Sequence, residues 1–476
     1  MINNSQLYKG LVWSAIDKLS IVVIQFVFEI IMARILSPKE YGVMGMLLVV
    51  MSFTQIFIDG GFGSALIYNK DRTEKDFATA FYTSALLGII IYIILYFISP
   101  YLSAFYNKDI TLFIRVIGIG IILNSLSVIY KTRLTIVIDF QSQAKFSFLA
   151  VLLSGIVGIL LAYFGYGVWA LIIQNVTLAF FNLIFLCVNL KWFPSFIYSK
   201  DSFLKMFGYG SKLLYAAIIN AVYMNFNSII LGKYFSTKAL GIYTKSSQLT
   251  INPISILTGI IQRVFFPYMV KFQSNFEQLY DHNNKYNRLI FLILLPFVTV
   301  VILYSDVLIE LVLSDKWLEM VLPFNILLVS ILFYPIIVMN MNIFQVIGKT
   351  SKFLFVEILT KIVGLGIIFF FYKYGLLGIC FGILVQFIVQ YVVTSFFVAN
   401  SLKKNFSRTL DIFLYLIFAS ALYLICTLVI KRIENSFLRT SLTIIIIIAA
   451  YSAIYYKLYG NQLKGLYSVY IKKMMK

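Results

Sequence analysis

Apolar runs of about 20 residues recur along almost the whole chain, and a run of that length crosses a hydrocarbon layer of about 30 Å as a single helix. Runs near 11–33, 42–67, 77–99, 111–130, 146–164, 167–188, 207–231, 239–262, 289–305, 321–344, 354–372, 375–399, 410–430 and 440–456 are read as spans. The chain is therefore expected to be an all-α polytopic membrane protein with about 14 transmembrane helices. Charged residues make up 12% of the 476 positions, where a soluble domain carries about 25%. No polar stretch exceeds about 25 residues, too short for an independent catalytic domain.

The net charge of +20 invites a nucleic-acid reading, but its distribution argues against one. With the N-terminus inside, 24 of the 39 Lys and Arg residues fall in inner segments, 10 in outer segments and five within spans. That bias places both termini in the cytoplasm and makes the span count even. The basic charge then serves topology and contact with anionic lipids, not nucleic acid.

The chain also repeats itself. Residues 33–42 and 232–241 align with Arg34 on Lys233, Ser37 on Ser236, Lys39 on Lys238 and Gly42 on Gly241, an offset of 199. A second echo pairs Lys145-Phe146-Ser147-Phe148 with Lys352-Phe353-Leu354-Phe355, and Tyr166-Gly167 with Tyr374-Gly375, at 207–208. Order and direction are kept, so the repeat is a parallel one about an axis along the membrane normal. It divides the chain into an N-lobe of six helices over 1–190, a cytoplasmic linker over 191–206 and a C-lobe of six helices over 207–400. Two further helices and a basic cytoplasmic tail fill 401–476. Trp192, Phe193, Phe196, Phe203 and Phe207 in and after the linker suit a short interfacial helix. Repeated membrane chains are usually transporters with the substrate site where the repeats meet.

Cys187, Cys380 and Cys426 lie far apart in apolar spans and read as small core residues. His282 has no Cys or His at ligand spacing, so neither a metal nor a cofactor is expected. The first span carries Asp17 and Lys18 and lacks a small-residue cleavage site, which marks a retained helix and not a signal peptide. The loop over 306–320 is acidic, with Asp306, Glu310, Asp315 and Glu319, and reads as a solvated loop. No acidic pair beside basic phosphate ligands points to catalysis.

Several motifs resemble a known family. Gly10-Leu11-Val12-Trp13, the run from Met32 to Gly42, and Asp59-Gly60-Gly61-Phe62-Gly63-Ser64-Ala65-Leu66-Ile67 are similar to the Wzx-type polysaccharide flippases. So are Gly241-Ile242-Tyr243, Pro253, Phe266-Pro267 and the run from Phe344 to Lys349. These proteins belong to the multidrug/oligosaccharidyl-lipid/polysaccharide exporter superfamily, and the chain most resembles its colanic-acid and teichuronic-acid exporter branch. The resemblance implies a non-enzymatic, alternating-access flippase of the bacterial inner membrane. Its cargo would be an undecaprenyl-diphosphate-linked oligosaccharide, its partners polysaccharide polymerase and export machinery.

Charges inside spans cost about 2.5–3.5 kcal/mol each and persist where they meet water or a partner. Lys18, Arg115, Lys212 and Lys245 are candidate ligands for an anionic diphosphate. For Lys18 and Lys212 the alternative is snorkelling to inner headgroups, and for Arg115 it is facing outer headgroups. Glu29 and Asp59 are candidates for ion coupling, with capping the end of span 2 the alternative for Asp59. Asn220, Tyr223, Asn227 and Gln248 are candidate sugar contacts, against a plain interhelical bonding role. Glu357 and Lys361, four apart, read as a mutually neutralising pair. Two rivals remain open: a drug or metabolite antiporter of the same superfamily, and a membrane glycosyltransferase or polysaccharide polymerase. Intramembrane Lys and Arg argue against the first, and short outer loops against the second.

Overall fold

The computed structural model describes residues 24–59, 61–432 and 441–456. These residues form helices and short connections, with no strand among them. In chain order the helices are α1 (24–35), α2 (Pro38–Asp59), α3 (Phe62–Tyr68), α4 (Glu74–Tyr106), α5 (Thr111–Ile136) and α6 (Phe140–Tyr163). They continue as α7 (Val168–Leu190), α8 (Lys200–Tyr234), α9 (Thr237–Val270), α10 (Phe276–Leu303), α11 (Ser305–Val312), α12 (Val321–Ile331) and α13 (Tyr334–Val346). The last are α14 (Thr350–Phe371), α15 (Gly375–Ser401), α16 (Asp411–Arg432) and α17 (Ser441–Tyr456). Ten stretches of the described residues are helical, long and apolar enough to cross a membrane, as a multi-pass membrane protein requires.

Helix ends follow local chemistry. Glu40 reaches back to the Ser37 amide at 2.6 Å, and Asp76 to the Thr73 amide at 2.7 Å, so donors that a helix N-terminus leaves unpaired are taken up. Asp139 and Asn275 cap α6 and α10 in the usual way, accepting from the amides of Ser142 and Gln278. Gly61, at φ +76°, makes the break between α2 and α3. A side chain there would also overlap Gly210 of α8. Pro253 and Pro267 sit inside α9, which runs through both as one helix. Span 10, read from sequence as one helix over 321–344, is interrupted after Ile331 and restarts at Tyr334 with Pro335 in its first turn, where a missing amide costs least.

The linker differs from expectation. Residues 191–199 form no helix; they run irregularly along α4 and α5, bonded to both. The Arg133 guanidinium is bidentate to Glu74, at 2.6 and 3.1 Å, and sits 4.4 Å over the Trp192 ring and 4.5 Å over Phe77. Trp192 also donates to Glu74 at 3.0 Å, Tyr82 donates to the Pro194 carbonyl, and the Ser199 amide donates to Thr79. These fixed side-chain partners outcompete the backbone bonds of an isolated short helix, whose nucleation is costly.

The chain divides into two compact units: 1–245 with 310–319, and 246–309 with 320–476. In the first, Phe62, Leu66, Phe77, Ile129 and Met206 form a core at one end of α3, α4, α5 and α8. Gly88 of α4 leaves space for the Ser125 hydroxyl of α5, the close small-residue approach that helps helices associate where lipid removes the hydrophobic drive. In the second, Phe265, Tyr280, Met339, Phe344 and Val398 form the corresponding core. Within it, buried Asn340 accepts from Asn283 at 3.0 Å and Asn287 at 2.9 Å and donates to Ser395 at 2.9 Å. Each unit contains a crossing of the same kind: Gly158 of α6 lies under Gln174 of α7, and Gly364 of α14 lies under Gln386 of α15.

Candidate functional site

The first compact unit holds a charge pair with one buried member. Lys245, on α9, is 0% exposed, and its ammonium lies 3.2 Å from a carboxylate oxygen of Glu29 on α1. Glu29 remains 41% exposed, so one partner is sealed from solvent and the other is not. The Tyr41 ring of α2 lies under the ammonium at 4.9 Å, a distance at which a ring face attracts a cation. Tyr41 is itself buried and held edge-on by Trp317 at 5.3 Å. Gly45 of α2 makes room for this approach: a side chain there would press on Thr244 and Leu240 of α9.

Helix α8 carries amide groups that bond to α2 and α9. Asn225 donates to Ser52 of α2 at 2.8 Å, and Asn227 to the Tyr243 hydroxyl at 3.3 Å. The Asn227 carbonyl oxygen and the Thr244 hydroxyl are buried without hydrogen-bond partners. Buried amides in a bundle normally find partners. Such groups can therefore accept a hydroxyl-bearing ligand or water.

The other candidates are scattered. Arg115 on α5 is half-buried, donates to Ser99 at 3.1 Å and stacks 4.0 Å over Tyr96, both on α4. Asn220 is exposed and Tyr223 half-buried on α8. Gln248 lies on the part of α9 that belongs to the second unit, with its carbonyl oxygen buried and unpartnered. Lys18 lies outside the described residues, as do Asp17 and the Gly10–Trp13 motif. Lys212 falls within α8 and Asp59 ends α2, but their side chains lie outside the described part. Glu357 and Lys361 are paired at 2.9 Å, as their spacing implied. His282 stacks on Phe272 at 4.3 Å and meets the Tyr268 hydroxyl at 3.2 Å. No group of three metal-ligating side chains occurs among the described residues.

Sequence reasoning singled out Lys245 and Glu29 but gave them separate tasks; the structure brings them together. Tyr41 and Ser52 were not proposed as site residues. Tyr41 stood in the repeated motif, and that position was the available signal.

This architecture is shared with the solved structure described as "Lipid II flippase MurJ, inward closed conformation". The match has a TM-score of 0.72 at 14% identity and covers 94% of this chain and 99% of that one. Over residues 31–322 the sequence matches the model of the family described as "Polysaccharide biosynthesis protein", and the chain belongs to that family. The teichuronic acid biosynthesis protein TuaB of Bacillus subtilis is 25% identical over 334 residues, spanning 68% of this chain and 67% of TuaB. The lipopolysaccharide biosynthesis protein WzxC of Escherichia coli is 22% identical over 387 residues, spanning 74% of this chain and 79% of WzxC. The Wzx-type resemblance read from the motifs is met by these relatives.

Proposed function

We propose that this protein moves an undecaprenyl-diphosphate-linked oligosaccharide from the inner to the outer leaflet of the bacterial inner membrane, for export of a surface polysaccharide. Both termini lie in the cytoplasm in this reading, and movement follows alternating access without any bond being broken. The lobes over 1–190 and 207–400 carry the repeat, joined by 191–206, while 401–476 stands outside it. The matching glycine-under-glutamine crossings at Gly158 and Gly364 support that division. Polysaccharide polymerase and export machinery are the partners such a cargo would meet, and anionic lipids would contact the basic inner loops.

The single observation that carries the reading is the Lys245–Glu29 pair. A sealed ammonium holds three donors, and one carboxylate oxygen uses only part of that capacity. A diphosphate brings more negative charge and more acceptor oxygens than Glu29, so it competes for Lys245. Displaced Glu29, already half-exposed, is then free to take a proton or another cation, which would couple cargo to an ion. Asn227 and the neighbouring amides suit the sugar, and Arg115, Lys18 and Lys212 remain candidates for further charge neutralisation. Asp59 remains a second coupling candidate.

The test is sidedness. Purified protein in vesicles containing a fluorescent undecaprenyl diphosphate sugar should make that lipid accessible to an externally added quencher. Lys245→Ala should slow this at least tenfold at normal protein level, and Lys245→Arg should retain part of it. Wild-type protein that leaves the lipid's sidedness unchanged sinks the proposal.

A further inference from the structure

The two copies of the repeated motif are packed against each other inside the first compact unit. Gly42 of α2 faces the Thr237 carbonyl, and Gly241 of α9 faces the Pro38 carbonyl; a side chain on either glycine would overlap the opposing backbone. Pro38 aligns with Thr237 and Gly42 with Gly241, so each copy gives the other the same surface. A self-complementary contact of this kind is what a two-fold relation produces. Both copies space the contact residues four apart, which puts them on one helix face where only glycine permits backbone approach.

A second pair of contacts obeys the same symmetry. Arg34 closes α1 and donates from its Nε to the Val312 carbonyl at 3.1 Å, and from its guanidinium to the Leu311 carbonyl. Lys233, its aligned counterpart, closes α8 and lies 4.1 Å over the Phe105 ring at the end of α4. Positions 105 and 311 are separated by nearly the same offset as the second echo. Each basic residue thus ties down the helix end equivalent to the one its counterpart holds.

The segment 310–319 completes the closure. Trp317 is fully buried and donates to the Ala33 carbonyl at 2.8 Å, while Lys316 reaches the carbonyls of Arg34 and Ile35, each at 3.2 Å. Those three carbonyls belong to the last turn of α1, where helix geometry leaves acceptors unpaired and favours a cation. Lys238 of the second copy pairs with Glu319 at 2.5 Å. One strap therefore holds both copies.

We infer that these contacts form a two-fold latch that closes this face, external in the proposed topology, and must part each time cargo is released. The inference rests on the flippase reading above. Most of its bonds are to backbone carbonyls or between exposed ions, and exposed ion pairs contribute little singly. The seam is therefore held by fit, which a small separation forfeits all at once.

The test has two arms in a chain with Cys187, Cys380 and Cys426 replaced by Ala. Spin labels on Lys39→Cys and Tyr234→Cys, both exposed and on opposite sides of the seam, should give two distance populations in lipid vesicles. Adding Gly241→Val should enlarge the longer one at least twofold. A single distance unmoved by the valine overturns the latch. In the second arm, a thiol-reactive bridge between Lys238→Cys and Glu319→Cys should cut flipping at least tenfold, with recovery on reduction. Full-rate flipping by fully bridged protein also overturns it. The spin-label arm needs no cargo, so failure of the unbridged protein to flip lipid would strike the proposed function and leave the latch to be judged on distances.

Discussion

Removing Glu29 should harm the fold more than removing Lys245. The pair is asymmetric: Lys245 is sealed, whereas Glu29 is 41% exposed. Glu29→Gln leaves an ammonium where water does not reach, and stripping the partner from a buried charge costs about 3–5 kcal/mol. The Tyr41 face offsets part of this, about 0.5–2 kcal/mol for a cation over a ring. The difference spans about 1–4.5 kcal/mol, and a net loss of about 3 kcal/mol is expected. Lys245→Met keeps the stem's volume and leaves a carboxylate that water can still solvate, so its loss should be about 1 kcal/mol or less. The double variant should recover most of the Glu29→Gln deficit, giving a coupling of about 2 kcal/mol in a double-mutant cycle. The assay is thermal unfolding of purified protein in one detergent, followed by intrinsic fluorescence. Equal losses for the two single variants, or additivity in the double, would refute the claim that one partner is sealed and the other is not.

Other consequences can be checked in the same preparations. Trp317→Ala should cost about 3–5 kcal/mol, through the cavity left by a fully buried ring and the unpaired Ala33 carbonyl, and should appear as a lowered unfolding temperature. Arg133→Ala removes a bidentate bond to Glu74 and two ring contacts, so limited proteolysis should begin to cut within 191–199 at protease levels that spare the parent. Asn340→Leu unpairs Asn283 and Asn287 together; at about 0.6 kcal/mol per interhelical bond, with about 1.7 the upper end, the expected loss is about 2 kcal/mol. Gly42→Val should overlap the Thr237 carbonyl and cut flipping, whereas Gly366→Val, with open space around it, should change neither flipping nor protein level.

Much of the helical plan was legible because apolar length is a local property. The span read over 111–130 is α5, Thr111–Ile136, and that read over 375–399 is α15, Gly375–Ser401. Helix extensions beyond the bilayer were less legible: α8 begins at Lys200 because Ser199 caps it, before its apolar run starts. The break in span 10 was hidden because Leu332 and Phe333 are as apolar as their neighbours. The irregular, non-helical course of 191–199 depends on Arg133 and Glu74, more than 50 residues upstream, and aromatic content alone suggested a helix. The site was legible in part. Glu29 and Lys245 stood out as charges in apolar runs, but 216 residues separate them, and no spacing rule reaches across that distance. The repeat was visible as letters; that its two copies face each other through glycine was not.

The course of residues 191–199 bears on how this chain can be taken apart. A six-and-six repeat suggests two polypeptides that might be made separately and mixed, with the cut near position 195. Yet Trp192, Pro194 and Ser199 are each bonded to α4 or α5, and α8 joins the same compact unit. A break there would free two new ends beside Glu74 and Tyr82 and put hydrated termini where aromatic rings now meet. Fragment complementation should therefore fail at this joint, although the letters of the sequence make it the obvious place to cut.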